Sequence, residues 1–544
     1  MVLSLVNEKV GSVFETFGLD KALGIVTLSK RPDLSDLQCN GALQAAKVLK
    51  RPPLDIANEM QAALKDTGIF SQVSVDSPGF VNLTLSDGFI LETLLSGKLE
   101  TRSKQTPQKI VIDYGGPNVA KPLHVGHLRS AIIGEAIKRI ARELGHDVIS
   151  DIHIGDWGTP MGMLIAKLSV NHPEWPYFSE NFSESSETAK PPLTAEDLNS
   201  LYPVAAVQFK EDEDFAEKAR KATAKLQAGH PGYRKLRQHF VDISIESIKK
   251  DFGVLGVDFD LWLGESDANA DADELVARLI KTGVAKESQE ALVIDVSREQ
   301  DRHEVPPLIL RKKDGAATYA TTDLATIFQR VRDYKPDHVL YVVDQRQSLH
   351  FTQVFRAADN ARLIKEDHLE HIGFGTMNGK DGKPFKTRAG GVMRLGDLIQ
   401  NAIDLALQEA GFVEGQADKE TKEMITKIAI AAIKFGDLSN LRTTDYVFDL
   451  SEFIQFDGKT GPYIQYAAVR AGAVLEKAGA TSVLKAPEVK KFTNKAERDL
   501  ALSLLGLPEA LQRAFDKRMP SDLCEYSYEL AHRFNRFYRD CPIL

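Results

Sequence analysis

The sequence predicts an α/β protein built around a parallel sheet, with a separate mixed α/β unit before it and an all-helical unit after it. Three observations carry this. From Lys109 onward, strand-like and helix-like segments alternate, the mark of a parallel sheet with right-handed crossovers. From about Met424 only helical periodicity remains. The 544 residues also exceed what one core holds, since cores rarely grow past about 250–300 residues, so two or three domains are expected.

Taken in order, residues 41–50 and 54–64 have helical patterns split by Arg51-Pro52-Pro53, and 71–75 and 80–85 read as strands around the turn Ser77-Pro78-Gly79. A polar stretch, 96–108, reads as a linker. Residues 110–113 form a short buried strand, followed by a Gly/Pro loop. Leu128, Ile132, Ile133, Ala136, Ile140 and Leu144 then recur at helical spacing, and 148–154 is the next strand. Residues 172–193, rich in Ser, Glu and Pro, read as an exposed insertion. Charged helical sequence runs to about Gly253, sheet-like sequence resumes at 291–296, and 338–343 is apolar on both faces, as a central parallel strand should be. The amphipathic stretches 428–438, 461–477, 501–515 and 524–540 close the chain. The expected domains are 1–101, 102–423 and 424–544.

Charge narrows the partners. With 68 Lys+Arg against 77 Asp+Glu, the net of −9 argues against a general coat-binder of polyanions, yet leaves room for local basic faces. Three cysteines, Cys39, Cys524 and Cys541, are too few and scattered for a disulfide framework or zinc knuckle, so a cytoplasmic setting is expected. The apolar run 428–433 is far short of the roughly 20 residues of a membrane span, and the acidic N-terminal pattern is no signal peptide.

Two motifs carry chemistry. The first, Pro117-Asn118-Val119-Ala120-Lys121-Pro122-Leu123-His124-Val125-Gly126-His127-Leu128, lies between the first sheet strand and its helix. A helix N-terminus there favours a phosphate through its free N–H groups and dipole. Gly126 lets backbone approach a flat nucleotide, and His124 and His127 can donate to phosphate oxygens as charge shifts during displacement at phosphorus. By composition, His-x-Gly-His is expected by chance only about 0.02 times in this chain. The plain alternative is a pair of helix-capping histidines. The second motif, residues 377–391 beginning at Met377, is a Gly-rich loop carrying Lys380, Lys383, Lys386 and Arg388, suited to closing over a triphosphate. On its own it reads first as a solvated basic loop, and only beside His124-Val-Gly-His127 in an α/β domain does the balance reverse.

Together the motifs resemble the signatures of class I aminoacyl-tRNA synthetases, with His124-Val-Gly-His127 and Lys383-Pro-Phe-Lys386-Thr in the places of that class's HIGH and KMSKS sequences. The segments IDYGGPNVAKPLHVGHLR, HIGDWGTPMG, TTDLA, GKPFKTRAGG, KFGDLSN and DGKTGPYIQYAAVR narrow the resemblance to arginyl-tRNA synthetase, over most of the chain from Ile110 onward. The first hundred residues, ending in SPGFVNLTLS, resemble that family's additional N-terminal domain. The resemblance implies a Rossmann-like catalytic domain with insertions, a helical anticodon-binding domain, and ATP, L-arginine and tRNA(Arg) as substrates, with Mg2+ arriving on ATP and no dedicated metal site. It implies ATP contacts from His124, Gly126, His127, Met377, Lys383 and Lys386, with Lys121 sharing the phosphate load, and activation that requires bound tRNA. A guanidinium is planar and always charged, so its pocket needs a fixed carboxylate with an aromatic or hydroxyl neighbour. The resemblance places Asp323, Tyr319 and Asp113 there, and Asn118 and Gln347 at the α-amino and α-carboxylate end.

The chain departs from the family in Gly115-Gly116, where a serine often precedes the Pro-Asn pair, and in the KPFKT form of the loop. Trp157 is expected to wall the pocket or to be a core tryptophan. Arg533, Arg536 and Arg539, with Tyr526, Tyr528 and Tyr538 nearby, could grip an anticodon stem or simply edge a solvated helix. Family members usually continue for a few more helices beyond FNRFYRDCPIL. Two rival functions follow: a small-molecule nucleotidylyltransferase, and a repurposed or truncated paralogue that forms adenylate or binds RNA without charging. A monomer is the default expectation.

Overall fold

The computed structural model describes residues 2–29, 31, 33–96, 101, 106–182, 190–313, 317–383, 393–412, 416–479 and 491–542. They fall into two compact units: Met1–Gln105 together with Gln455–Leu544, and Thr106–Ile454.

The second unit holds a four-stranded, all-parallel sheet in the order Leu369–His371, His338–Val342, Lys109–Tyr114, Asp147–Asp151. Isolated parallel bridges from Asp151 to Leu261 and from Ile154 to Gly264 extend it beyond the last strand. Sheet order reverses between Lys109–Tyr114 and His338–Val342, and a ligand in such a sheet binds outside the carboxyl ends at that reversal. Alternation along the central strand explains why both faces are covered: Val111 packs with helices Glu265–Lys281, Tyr319–Tyr334 and Ser348–Asn360. Tyr114, pointing the other way, lies so close to helix Val125–Glu143 that a Cβ on Gly134 would stand 2.2 Å from its ring.

Ser130, in that helix, stitches the reversal point. Its Oγ accepts from Gly115 N at 2.8 Å and donates to Val342 O at 2.7 Å, tying the ends of the two strands where the order reverses. A hydroxyl from the helix thus holds the Gly115-Gly116 loop.

Helix Lys419–Leu438 runs through the boundary expected at 423/424 and packs on helices Leu395–Glu409 and Val125–Glu143 in the second unit. The physical reason is a buried ion pair: Arg129 Nε lies 2.9 Å from Asp437 Oδ1, with both side chains at most 2% exposed. Periodicity marked this helix as amphipathic but could not say which neighbour its apolar face met.

In the first unit, a four-stranded antiparallel sheet carries helices Val2–Thr16, Gly41–Leu49 and Pro53–Leu64, and helices Gly461–Lys477, Lys495–Leu505, Leu507–Asp516 and Pro520–Asp540 follow among the described residues of the 455–544 part. Arg498 joins the two sequence-distant parts with a fork onto Asp36 (2.9 and 2.7 Å) and a 3.2 Å bond to Asp87. The last helix, Pro520–Asp540, sets its arginines against acids: Arg536 is 3.8 Å from Asp499 and 3.5 Å from Asp540, and Arg539 is 2.8 Å from Asp540. Tyr526 donates to Ser503 O at 3.0 Å. Arg536 and Arg539 thus have acidic partners within the unit while their side chains stay 47% and 73% exposed. Among the described residues no helix is long and apolar enough to cross a membrane.

Candidate active site

The His-x-Gly-His segment forms the start of helix Val125–Glu143. His124 is the N-cap; its Nδ1 accepts from Gly126 N at 3.1 Å, while His127 Nδ1 accepts from His124 N at 3.1 Å. Both rings thus spend Nδ1 on the backbone, which fixes the tautomer and leaves Nε2–H as the outward donor. Burial, then Lys121, lowers the His124 pKa; burial and next His124 push His127 down to about 3. Both rings are neutral donors at working pH.

Gly126 has a reason the sequence did not disclose. A Cβ there would lie 2.8 Å from His124 Cε1, so any larger residue displaces the ring. The ring centroids of His124 and His127 are 3.9 Å apart.

The residues that follow the basic loop are pinned to the same segment. Val125 N donates to Met393 O at 3.1 Å and Leu395 N to Leu123 O at 2.9 Å, fixing the stretch that follows the loop. On the near side, Met377 is buried in a two-residue strand paired with Tyr446–Val447. Arg129 Nη1, two residues past His127, donates to Gly375 O at 2.5 Å. Lys380 pairs with Asp449 at 2.7 Å. Lys383 is exposed, its N–H donating to Asp381 Oδ1 at 3.1 Å. Lys386 lies outside the described residues.

At the carboxyl edge, Tyr319 and Asp323 stand one turn apart on helix Tyr319–Tyr334 and so share a face. Asp323 Oδ2 accepts from His350 Nε2 at 2.6 Å. The structure gives Asp323 an imidazole partner from the neighbouring helix Ser348–Asn360. Tyr319 is 71% exposed. Gln347 is exposed in the 3-10 turn following strand His338–Val342, its N–H donating to Asp344 O at 3.0 Å. Asn118 forms a bridge with Gly155, bringing the His124 loop against the Gly155–Gly158 turn.

Asp113 has an internal partner. Strand register places Tyr341, Asp113 and Asp151 in one row across the sheet. Arg330, from helix Tyr319–Tyr334, lies on that row, donating Nη2 to Asp113 Oδ2 at 2.6 Å and to Asp151 Oδ2 at 2.7 Å, with its guanidinium 5.4 Å from the Tyr341 ring. The expected second carboxylate for a substrate guanidinium thus already holds one of the chain's own. Asp113, Asp151 and His153 also bring ligand atoms within 4.8 Å of one another, but Arg330 fills that corner.

A residue that sequence reasoning passed over stands close to Asp323. Glu265, first in helix Glu265–Lys281, has its pKa raised to about 7, by burial first, then by the charges of Asp323 and Asp156, against a smaller opposing pull from Lys121. The Tyr319 hydroxyl is raised by desolvation, then by Glu265 and Tyr202. Lys121 Nζ sits 4.8 Å over the Tyr202 ring. Glu265 is therefore close enough to Asp323, Tyr319 and Lys121 for charge to act between them, and Lys121 acts on both histidines as well. The available signal was Gly264-Glu265-Ser266 opening a helical pattern just after a strand-like FDLWL; without its spatial neighbours it looks like any helix start. Trp157 is half-buried, with Arg237 stacked 5.6 Å over its ring.

Comparison with known proteins accords with this arrangement. The family model described as tRNA synthetases class I (R), catalytic domain, matches residues 90–450; those for the arginyl tRNA synthetase N terminal domain and the DALR anticodon binding domain match 2–85 and 464–544. An arginine–tRNA ligase of Alkaliphilus oremlandii is 47% identical over 549 residues, covering 100% of this chain and 93% of that protein. One from Francisella tularensis subsp. novicida is 46% identical over 547 residues, covering 99% and 92%. Crystal structures of the arginyl-tRNA synthetases of Plasmodium falciparum (TM-score 0.77, 24% identity) and Thermus thermophilus (TM-score 0.76, 22% identity) share the fold, each covering 100% of this chain and 92% of the other. With a catalytic-domain match over most of its length and relatives of nearly half identity from end to end, the chain belongs to the class I arginyl-tRNA synthetases.

Proposed function

We propose that the chain activates L-arginine with ATP and transfers it to the 3′ end of tRNA(Arg). The observation that carries this reading is the acidic corner of Asp323 and Glu265, capped by Tyr319, beside two neutral histidines at the point where sheet order reverses.

In the first step a carboxylate oxygen of arginine attacks the α-phosphorus of ATP, the bond from that phosphorus to the bridging oxygen breaks, and pyrophosphate leaves with the electron pair. His124 and His127 donate Nε2–H to phosphate oxygens as charge moves onto them. Lys121, Lys383 and Lys386 add positive charge, and Mg2+ enters as part of the ATP substrate. This is positioning and electrostatic stabilisation without a covalent enzyme intermediate. Met377 and Gly126 line the nucleotide side. Asp323 and Glu265 take the guanidinium through forked hydrogen bonds; Asn118 and Gln347 hold the α-amino and α-carboxylate end. Asp113 adds its negative charge from the end of strand Lys109–Tyr114, its carboxylate oriented by Arg330. In the second step a 3′-terminal ribose hydroxyl attacks the activated carbonyl and AMP leaves.

Charging of a tRNA(Arg) transcript with radiolabelled arginine tests the proposal, with adenylate formation measured in parallel with and without tRNA. Charged tRNA supports it. Adenylate formed without tRNA and never transferred would mark a repurposed enzyme, and ATP turnover indifferent to arginine a nucleotidylyltransferase.

A further inference from the structure

Glu265 is held in place by its backbone. Its N–H donates to Ile154 O at 3.0 Å, and the N–H of Ser266 donates to Asp156 Oδ1 at 2.9 Å. Ser266 Oγ adds a 2.8 Å bond to Asp156 Oδ2. Asp156 packs flush on the chain just before Glu265: a Cβ on Gly264 would lie 2.8 Å from its carboxyl carbon. Asp156 is 3% exposed, and a buried carboxylate needs a cation as well as hydrogen bonds.

Arg237 supplies that cation from helix Pro231–Val254, part of the insertion between strands. Its Nε donates to Asp156 O at 3.1 Å, and its Nη2 bonds both Asp156 Oδ2 and Ser266 Oγ. One guanidinium thus clamps the acid, the serine after Glu265 and the Trp157 ring beneath it.

We propose that Arg237 is a positioning residue for arginine selection: by orienting and neutralising Asp156 it keeps Glu265 placed and charged toward the substrate guanidinium. The proposal rests on the reading of Glu265, Asp323 and Tyr319 as the arginine pocket. The groups facing Glu265 are Asp323 and Tyr319 from helix Tyr319–Tyr334, Asp156 from the 155–158 turn and Lys121 from the loop before His124; His350 stands behind Asp323. Without Arg237, Asp156 is an uncompensated like charge beside Glu265, which then keeps its proton to higher pH. Without the Asp156 charge, Glu265 loses its proton at lower pH.

The test is the KM for arginine of the full-length enzyme from pH 6 to 8.5, at saturating ATP and tRNA(Arg). The wild type should show KM falling as pH rises, with a midpoint near 7. Arg237→Met should move that midpoint up by about 0.5 or more and raise KM at neutral pH about fivefold or more, with the KM for ATP within about twofold. Asp156→Asn should move the midpoint down, and Arg237→Lys, which keeps the charge, should hold it at the wild-type position. Opposite shifts from the two substitutions are not a consequence of general damage. Midpoints that stay put, or move the same way, overturn the proposal. If Arg237→Met does not fold, Asp156→Asn and Arg237→Lys still decide it. Glu265→Gln separates the two levels: an unaltered pH profile in that variant overturns the pocket reading itself, whereas a flattened one leaves the pocket standing and Arg237 alone on trial.

Discussion

His350 Nε2 lies 2.6 Å from Asp323 Oδ2, so a histidine on one helix orients the carboxylate that another helix presents at the carboxyl edge of the sheet. The carboxylate accepts, so the ring donates, leaving the second oxygen for a ligand. Asp323→Asn removes the charge a guanidinium needs and should lower kcat/KM for arginine by about 10²–10³-fold. His350→Ala keeps the charge but frees its orientation; KM for arginine should rise about tenfold or more, the worth of a hydrogen bond to a charged group. Steady-state charging kinetics check both.

Glu265 gives the pocket a pH signature. On the proposed reading a protonated Glu265 offers no charge to the substrate; its pKa of about 7 means that raising pH through 7 supplies that charge. KM for arginine should therefore fall with rising pH and level off by about pH 8, and Glu265→Gln should leave it high across the range.

His127 should behave oppositely, as a group that does not titrate in use. Its pKa of about 3 keeps it neutral above pH 5, so it contributes no inflection to kcat between pH 6 and 8. His127→Ala should reduce kcat about 10²–10³-fold, the cost of losing one donor to developing charge, with the KM for arginine little changed.

Gly126→Ala tests the packing of the first motif. The added methyl would meet His124 Cε1 at 2.8 Å, forcing the ring off its cap. The expected outcome is a fall in kcat similar to that of His124→Ala, with little change in the thermal midpoint, because Gly126 itself is exposed.

Arg129 and Asp437 test the scaffold. Burial pushes the Asp437 carboxyl up and Arg129 opposes it. Arg129→Met strands a buried carboxylate and should cost about 3–5 kcal/mol of stability, read by chemical denaturation. Arg129→Met with Asp437→Leu, which removes both charges, should recover much of that loss.

Local pattern sufficed for the helices at 41–64, the strands around Ser77-Pro78-Gly79 and the central strand near 338–343, because burial period and turn chemistry are properties of neighbouring residues. It sufficed for the two histidines too, since a short motif before a helix carries its own geometry. It did not reach Glu265 or the Arg330 partner of Asp113, for the same reason in both cases. Each depends on a partner far away in the chain: Asp323 and Asp156 beside Glu265, Arg330 on Asp113.

The sequence by itself determined the fold class, the signature segments and the kind of substrate. Only the tertiary structure decided that Asp113 is paired with Arg330 while Glu265 stands close to Asp323, that helix Lys419–Leu438 belongs with the sheet unit, and that the terminal arginines have acidic partners. The division is physical: periodicity and turn preference act over a few residues, whereas the charge state and availability of an ionisable group are set by burial and by opposite charges within a few ångströms, whatever their separation in sequence.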